Sequence, residues 1–221
     1  MLDGNTPSAQ RSGAVNKINV VEHPIALHAL TALRNRQTAP ELFRVFSHQL
    51  LTLLAVEATR GLPVREEAVE TVWGSHPGRV LGQPIVFLSL SRRGLGLAHH
   101  MTDLIPNVRV GMISLDHADN GQHFSPRLHL VNAPALGESL VILFDPVVAT
   151  GLSASLALDL LQRSGAVDVT LLSFLVSVVG LERVQGAWPD LTVWTAAIDT
   201  EWDSKRGPLP GIGVFGERFY G

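Results

Sequence analysis

The stretch from Ser139 to Leu161, "SLVILFDPVVATGLSASLALDLL", decides the fold. Its first half is an unbroken apolar run of the kind buried on both faces of a parallel sheet, and its second half carries the Leu and Ala spacing of a helix. The turn between them sets Asp145 at the strand end and Thr150, Gly151 and Ser153 at the helix N-terminus. Backbone N–H groups, two hydroxyls and the positive end of a helix dipole then converge on one point, which suits an anion. Asp145 is positioned to accept hydrogen bonds from sugar hydroxyls. The same residues also fit an ordinary strand-to-helix connection in which Ser153 caps the helix. No lysine follows the glycine, so the turn is not a Walker loop.

Working outward, four further apolar or β-branched runs flank this one: "PIVFLSLS" (84–91), "RVGMISL" (109–115), "VDVTLLSFLVS" (167–177) and "LTVWTAAID" (191–199). Helical stretches near 95–104, 153–164 and 180–187 separate most of them. This alternation predicts an α/β fold with a parallel five-stranded sheet flanked by helices, and ligands beyond the carboxyl ends of the strands. Two N-terminal helices are read from "HPIALHALTALRNRQT" (23–38) and "PELFRVFSHQLLTLLAVEATRGL" (40–62), where Pro40 suits the first helical position. The polar segment "PVREEAVETVWGSHPGRVLGQ" (63–83) predicts a short strand or small hairpin outside the main sheet.

The chain has 221 residues, 46% of them hydrophobic, enough for one sizeable core. We expect a disordered leader over 1–17 and a single domain over 18–221. Seventeen Lys and Arg against twenty Asp and Glu give a net charge of −3. No basic field recruits nucleic acid or an anionic membrane, so neither is an expected partner. The absence of cysteine removes disulfides and thiolate chemistry. The longest apolar run, "VTLLSFLVSVVG", is far shorter than the roughly 20 residues that span a bilayer, and the leader lacks the apolar run of a signal peptide. A cytoplasmic location is the resulting expectation.

"FDPVVATGLSAS" resembles the "DPMLATGGS" motif of the uracil phosphoribosyltransferases, which couple uracil to phosphoribosyl pyrophosphate to make UMP. The similarity continues through "HPIALHALTALRNRQT", "LLAVEATRGL", "SRRGLGL", "AWPDLTVWTAAID" and "PGIGVFGERFYG", in order over roughly 18 to 221. It implies a type I phosphoribosyltransferase fold with a hood region, a pentosyltransferase activity and a homo-oligomer. It also implies Mg²⁺ escorting the pyrophosphate, with no dedicated metal ligands in the protein.

Carried over by position, the resemblance implies that Asp145 holds the ribose hydroxyls and that Ala149, Thr150, Gly151, Leu152 and Ser153 surround the 5′-phosphate. Arg92 matches the arginine that meets the pyrophosphate, where a fixed guanidinium stabilises developing charge. Gly94 and Gly96 would keep the backbone close to it. His117 stands where the family has an arginine, and is a further candidate for the donor site. The base would lie between Ile198 and the segment holding Pro208, Gly213, Val214 and Phe215.

Several of these positions depart from the family. Leu152 replaces the second loop glycine, with a strain of roughly 1–2 kcal/mol if that residue needs a positive φ. Pro208 has no N–H to donate, and Val214 replaces a carboxylate. Two further readings therefore stand beside uracil phosphoribosyl transfer: transfer to an altered base, and a catalytically impaired homologue that binds a nucleotide or a partner. Packing that fills the base pocket with Phe215 and closes the phosphate loop with Leu152 would favour the impaired homologue. His117, His123 and His129, with Asp116 and Asp119 between them, match no defensible metal-ligand spacing and read as solvated loop residues.

Overall fold

The five apolar runs pair side by side in one sheet because each can bury both its faces. The computed structural model describes residues 18–90, 94–117, 124–130 and 135–221. The expected leader, 1–17, lies outside the described residues. In chain order the elements are β1 (Ile18–Val20), α1 (Pro24–Arg34), α2 (Pro40–Ala58), β2 (Val64–Thr71), β3 (Gly74–Leu81), β4 (Ile85–Leu90), α3 (Leu95–Leu104), β5 (Arg109–His117) and β6 (Phe124–His129). There follow β7 (Leu140–Phe144), β8 (Val147–Val148), α4 (Leu152–Arg163), β9 (Asp168–Ser173), β10 (Leu175–Ser177), α5 (Val178–Ala187), β11 (Thr192–Thr195), β12 (Ile198–Asp199), β13 (Glu201–Asp203), β14 (Gly207–Leu209) and α6 (Phe215–Tyr220).

The main sheet runs β1-β11-β9-β7-β4-β5-β6. Every pairing is parallel except β5 with β6. The sheet has seven strands because two edge strands flank the five expected ones. β6 carries Pro126, a residue that a sheet tolerates at its edge.

Side chains alternate across this sheet. Ile85 and Phe87 of β4 and Leu140, Ile142 and Phe144 of β7 join a core built with α1, α2, α3 and α6. Val86, Leu88, Leu90, Val141 and Leu143 join the other core, under α4 and α5. That two-sided burial is why the runs contain no polar alternation.

Above the carboxyl ends the chain bends and pairs again. Two of the expected runs are each divided, 167–177 at Phe174 into β9 and β10, and 191–199 at Ala196 and Ala197 into β11 and β12. At the bend, Asp145 N–H donates to Leu172 O at 3.1 Å and Phe174 N–H to Pro146 O at 3.2 Å. The short β8, β10 and β12 then form their own parallel sheet. This second tier carries the 145–151 turn, the start of α5 and Asp199 to one end of the molecule. The 63–83 segment is the expected hairpin, β2 against β3, outside the main sheet. Among the described residues no helix is long and apolar enough to cross a membrane.

Candidate active site

The turn after β7 is held by glycine contacts that leave no room for a side chain. Gly151 has φ +71° and is the N-cap of α4. A Cβ on Gly151 would lie 2.5 Å from Gly180 O, and one on Gly180 would lie 2.6 Å from Ala149 O. The two backbones therefore meet directly. Ser177, the N-cap of α5, accepts from Gly180 N–H at 2.8 Å, and its hydroxyl donates to Ala149 O. A single side chain thus ties the turn to the neighbouring helix.

Leu152 departs from the strain considered above. Among the described residues Asn107 is the one non-glycine with positive φ, so Leu152 has an ordinary backbone. It is the first residue of α4, its side chain is 41% exposed, and its N–H donates to Thr150 Oγ1 at 3.4 Å. Gly151 alone takes the left-handed conformation. The first intrahelical bond runs from Ser155 N–H to Gly151 O, so by helix geometry the earlier N–H groups have no intrahelical acceptor. Ser153 is half-buried and Thr150 exposed beside them.

Beside this turn lies a cavity of about 240 Å³. It is below the roughly 300–1,000 Å³ of drug-sized pockets and suits one small ring. Asp145, Val147 and Ala149 line one side, and Pro208, Gly213, Val214 and Phe215 line the other. Residues expected at the donor and base sites thus share one space, with Arg206 at the same wall. Ile198 is an exception: it sits in β12 and packs against the core under α4 and α5, and it is not among the lining residues.

Phe215 turns inward. It is 4% exposed and packs with Phe43, Phe174 and Phe219 at ring-centroid distances of 5.6, 5.9 and 5.2 Å. It lines the cavity without filling it. Val214 caps α6 and is exposed. Pro208 is buried in β14, paired with Trp202. The turn between β13 and β14 is closed by Asp203, whose carboxylate accepts from Lys205 N–H and Arg206 N–H, both at 2.8 Å. Those two donors hold its pKa below the usual carboxylate range.

Gly94 and Gly96 serve packing within the chain. A Cβ on Gly94 would meet Ser89 Oγ at 2.5 Å, and one on Gly96 would meet the Phe219 ring at 2.7 Å. Arg92 lies outside the described residues, as do Asp119 and His123 and the side chains of Asp116 and His117. The backbone of His117 ends β5, paired with Phe124. Among the described residues no group of three or more His, Cys, Asp or Glu could hold a metal ion.

The sequence reading gave no role to Ser177, Gly180, Arg34 or Asp199. Their signal was present in "SVVG", "LRNRQ" and "AAID", yet the contacts that give them meaning cross from one element to another.

A parallel sheet covered on both faces, with an acid-and-glycine turn beside a small cavity, is the architecture of the type I phosphoribosyltransferases. A solved structure of a protein from Aquifex aeolicus superposes with a TM-score of 0.81 at 24% identity, covering 92% of this chain and 97% of that one. The orotate phosphoribosyltransferase of Mycobacterium tuberculosis, solved with 5-phospho-α-D-ribosyl 1-diphosphate, has a TM-score of 0.50 at 12% identity over 79% of this chain and 96% of its own. Both likenesses concern the fold. The family model for uracil phosphoribosyltransferase matches residues 20–221. The uracil phosphoribosyltransferase of Caulobacter sp. (strain K31) is 36% identical over 205 residues, 92% of this chain and 98% of that protein. That of Thermus thermophilus is 36% identical over 206 residues, covering 93% and 99%. The chain belongs to the uracil phosphoribosyltransferase family.

Proposed function

We propose that the protein transfers the phosphoribosyl group of phosphoribosyl pyrophosphate to uracil. A ring nitrogen of the base bonds to C1 of the ribose as the C1–O bond to pyrophosphate breaks, and the nitrogen gives up its proton. The products are UMP and pyrophosphate. The observation that carries this reading is the shared cavity, in which Asp145 and Ala149 face the 208–215 segment.

Asp145, at the strand end, accepts hydrogen bonds from the ribose hydroxyls. Residues 149–153 present N–H groups that lack intrahelical acceptors to the 5′-phosphate. Arg92 and His117 are the candidates for the pyrophosphate. The rate gain comes from positioning and charge stabilisation, with no covalent intermediate. Mg²⁺, when bound, would neutralise pyrophosphate charge and would be held mainly through the donor's own oxygens. An ion carried mainly on its substrate needs few protein ligands.

Two features support turnover over a binding-only role: Phe215 is drawn into the core, and Leu152 points outward from an unstrained helix start. A base other than uracil is favoured by one observation, that buried Pro208 offers no N–H to a ring carbonyl. We further propose a cytoplasmic setting, since a polyphosphorylated donor does not cross bilayers. Self-association is also proposed, supported by the largely exposed hairpin of β2 and β3.

The test is pyrophosphate release from phosphoribosyl pyrophosphate and Mg²⁺ with uracil, cytosine, thymine and hypoxanthine in turn. Release with uracil supports the proposal, release with another base alone supports altered specificity, and no release with any base overturns both.

A further inference from the structure

Arg34 and Asp199 stand 165 positions apart in sequence and meet as a forked ion pair. Arg34 Nη2 reaches Asp199 Oδ1 at 2.6 Å and Nη1 reaches Oδ2 at 3.1 Å. The Asp199 side chain is 2% exposed and that of Arg34 is 22% exposed. The pair does not line the cavity. Its remaining hydrogen bonds go to one residue that does: Asp199 Oδ2 accepts from Gly211 N–H at 2.8 Å, and Arg34 Nη1 donates to Gly211 O at 3.1 Å.

Gly211 is buried with φ +62°, and a Cβ there would meet Pro208 O at 2.5 Å. Its position is thus tightly bounded. A second guanidinium acts on the next residue: Arg218 donates to Ile212 O at 3.0 Å and to Asn35 O at 2.6 Å, and also to Leu33 O. Its charge lies 4.4 Å from the centroid of the Phe43 ring. Two arginines therefore fasten the 211–212 turn to the end of α1.

A buried ion pair is weak evidence for stability, since apolar residues of similar size often serve as well or better. What apolar residues cannot do is grip both the N–H and the C=O of one residue, fixing the peptide units on either side of its Cα. We propose that Arg34 and Asp199, supported by Arg218, are positioning residues that set the floor of the base subsite through Gly211. The inference rests on the phosphoribosyl-transfer reading and assigns base recognition to residues that never touch the base. Lysine cannot replace Arg34, because an ammonium lacks the planar fork that engages the carboxylate and the Gly211 carbonyl together.

The experiment compares Arg34→Lys and Asp199→Asn with the unsubstituted protein by steady-state kinetics and by amide hydrogen exchange of residues 206–215. The KM for the base should rise roughly 10- to 100-fold, as expected for a misplaced contact. The KM for phosphoribosyl pyrophosphate should stay within about twofold, and exchange in 206–215 should quicken. A melting temperature that falls with both KM values unchanged, or exchange that does not change, overturns the proposal. Absence of turnover in the unsubstituted protein would sink the enzymatic reading, while the exchange result would still judge the clamp. Should neither variant fold, the Gly211 amide of the unsubstituted protein decides: core-like protection supports the clamp and loop-like exchange overturns it.

Discussion

Gly151 and Gly180 touch backbone to backbone: a methyl group placed on Gly151 would come within 2.5 Å of the Gly180 carbonyl oxygen. The loop after β7 and the start of α5 are therefore one unit, stitched by Ser177. Gly151→Ala adds both this clash and a left-handed conformation costing about 1–2 kcal/mol. At roughly 2–4 °C per kcal/mol, the melting temperature should fall by about 2–8 °C. The KM for phosphoribosyl pyrophosphate should rise roughly tenfold or more through loop displacement. A variant with unchanged donor KM would show that this loop does not hold the phosphate.

Leu152→Gly is expected to harm the protein and repair nothing. Leu152 already has a right-handed backbone at the first position of α4, so glycine relieves no strain there. The substitution should cost up to about 1 kcal/mol in helix stability. Calorimetric titration with phosphoribosyl pyrophosphate should show no gain in affinity; a tighter complex would mean that the leucine side chain crowds the anion.

Acid should loosen the contact between α2 and α3. The His48 and His100 rings stack at 4.6 Å and 10° from parallel, and His100 Nε2 lies 2.9 Å from Thr52 Oγ1. His48 Nε2 is buried and has no hydrogen-bond partner among the described residues. Burial first, then the charges of His100 and Arg44, push its pKa below the ordinary histidine value of 6.5, with Asp103 opposing. Because the folded value is the lower one, the unfolded chain binds the proton first as pH falls below about 6.5. Stability is thus complete above that pH and declines as pH drops through the folded value. Urea midpoints measured from pH 7.5 to 5 should follow this trend, and His48→Gln should flatten it. An equal slope in the variant would remove His48 as the cause.

The hairpin should govern self-association. Every residue of β2 is exposed, and Trp73 at the tip is 95% exposed. A two-stranded hairpin is marginally stable on its own, so a partner surface would stabilise it. Trp73→Asp should lower the mass seen by light scattering at micromolar concentration. A mass that does not change excludes the hairpin tip as a contact.

The sheet was legible in the sequence because its central strands are buried on both sides and so contain unbroken apolar runs. Its edges were not, since "INV" is too short to register and β6 is polar and contains Pro126. The phosphate turn was legible as a motif, but two adjacent positions competed for the left-handed conformation and only the contact with Gly180 assigns it to Gly151. The run 167–177 reads as one strand, which hides the break at Phe174 and the N-cap at Ser177, while the helix expected near 180–187 begins at Val178. Arg34 and Asp199 were visible only as letters in two motifs, because a pair separated by 165 positions leaves no local signature. Phe215 lines the cavity, but the aromatic cluster with Phe43, Phe174 and Phe219 that fixes its ring was not legible, because those residues come from distant elements.

The central claim is that Asp145 holds the ribose of a phosphoribosyl donor while a base sits across the same cavity. Uracil-dependent pyrophosphate release by Asp145→Asn, set against the unsubstituted protein at equal folded concentration, tests it most directly. The account predicts robust release by the unsubstituted protein and a kcat lower by roughly 10²- to 10³-fold in the variant, the cost of losing one charged contact in the transition state. Equal rates in the two proteins would contradict it.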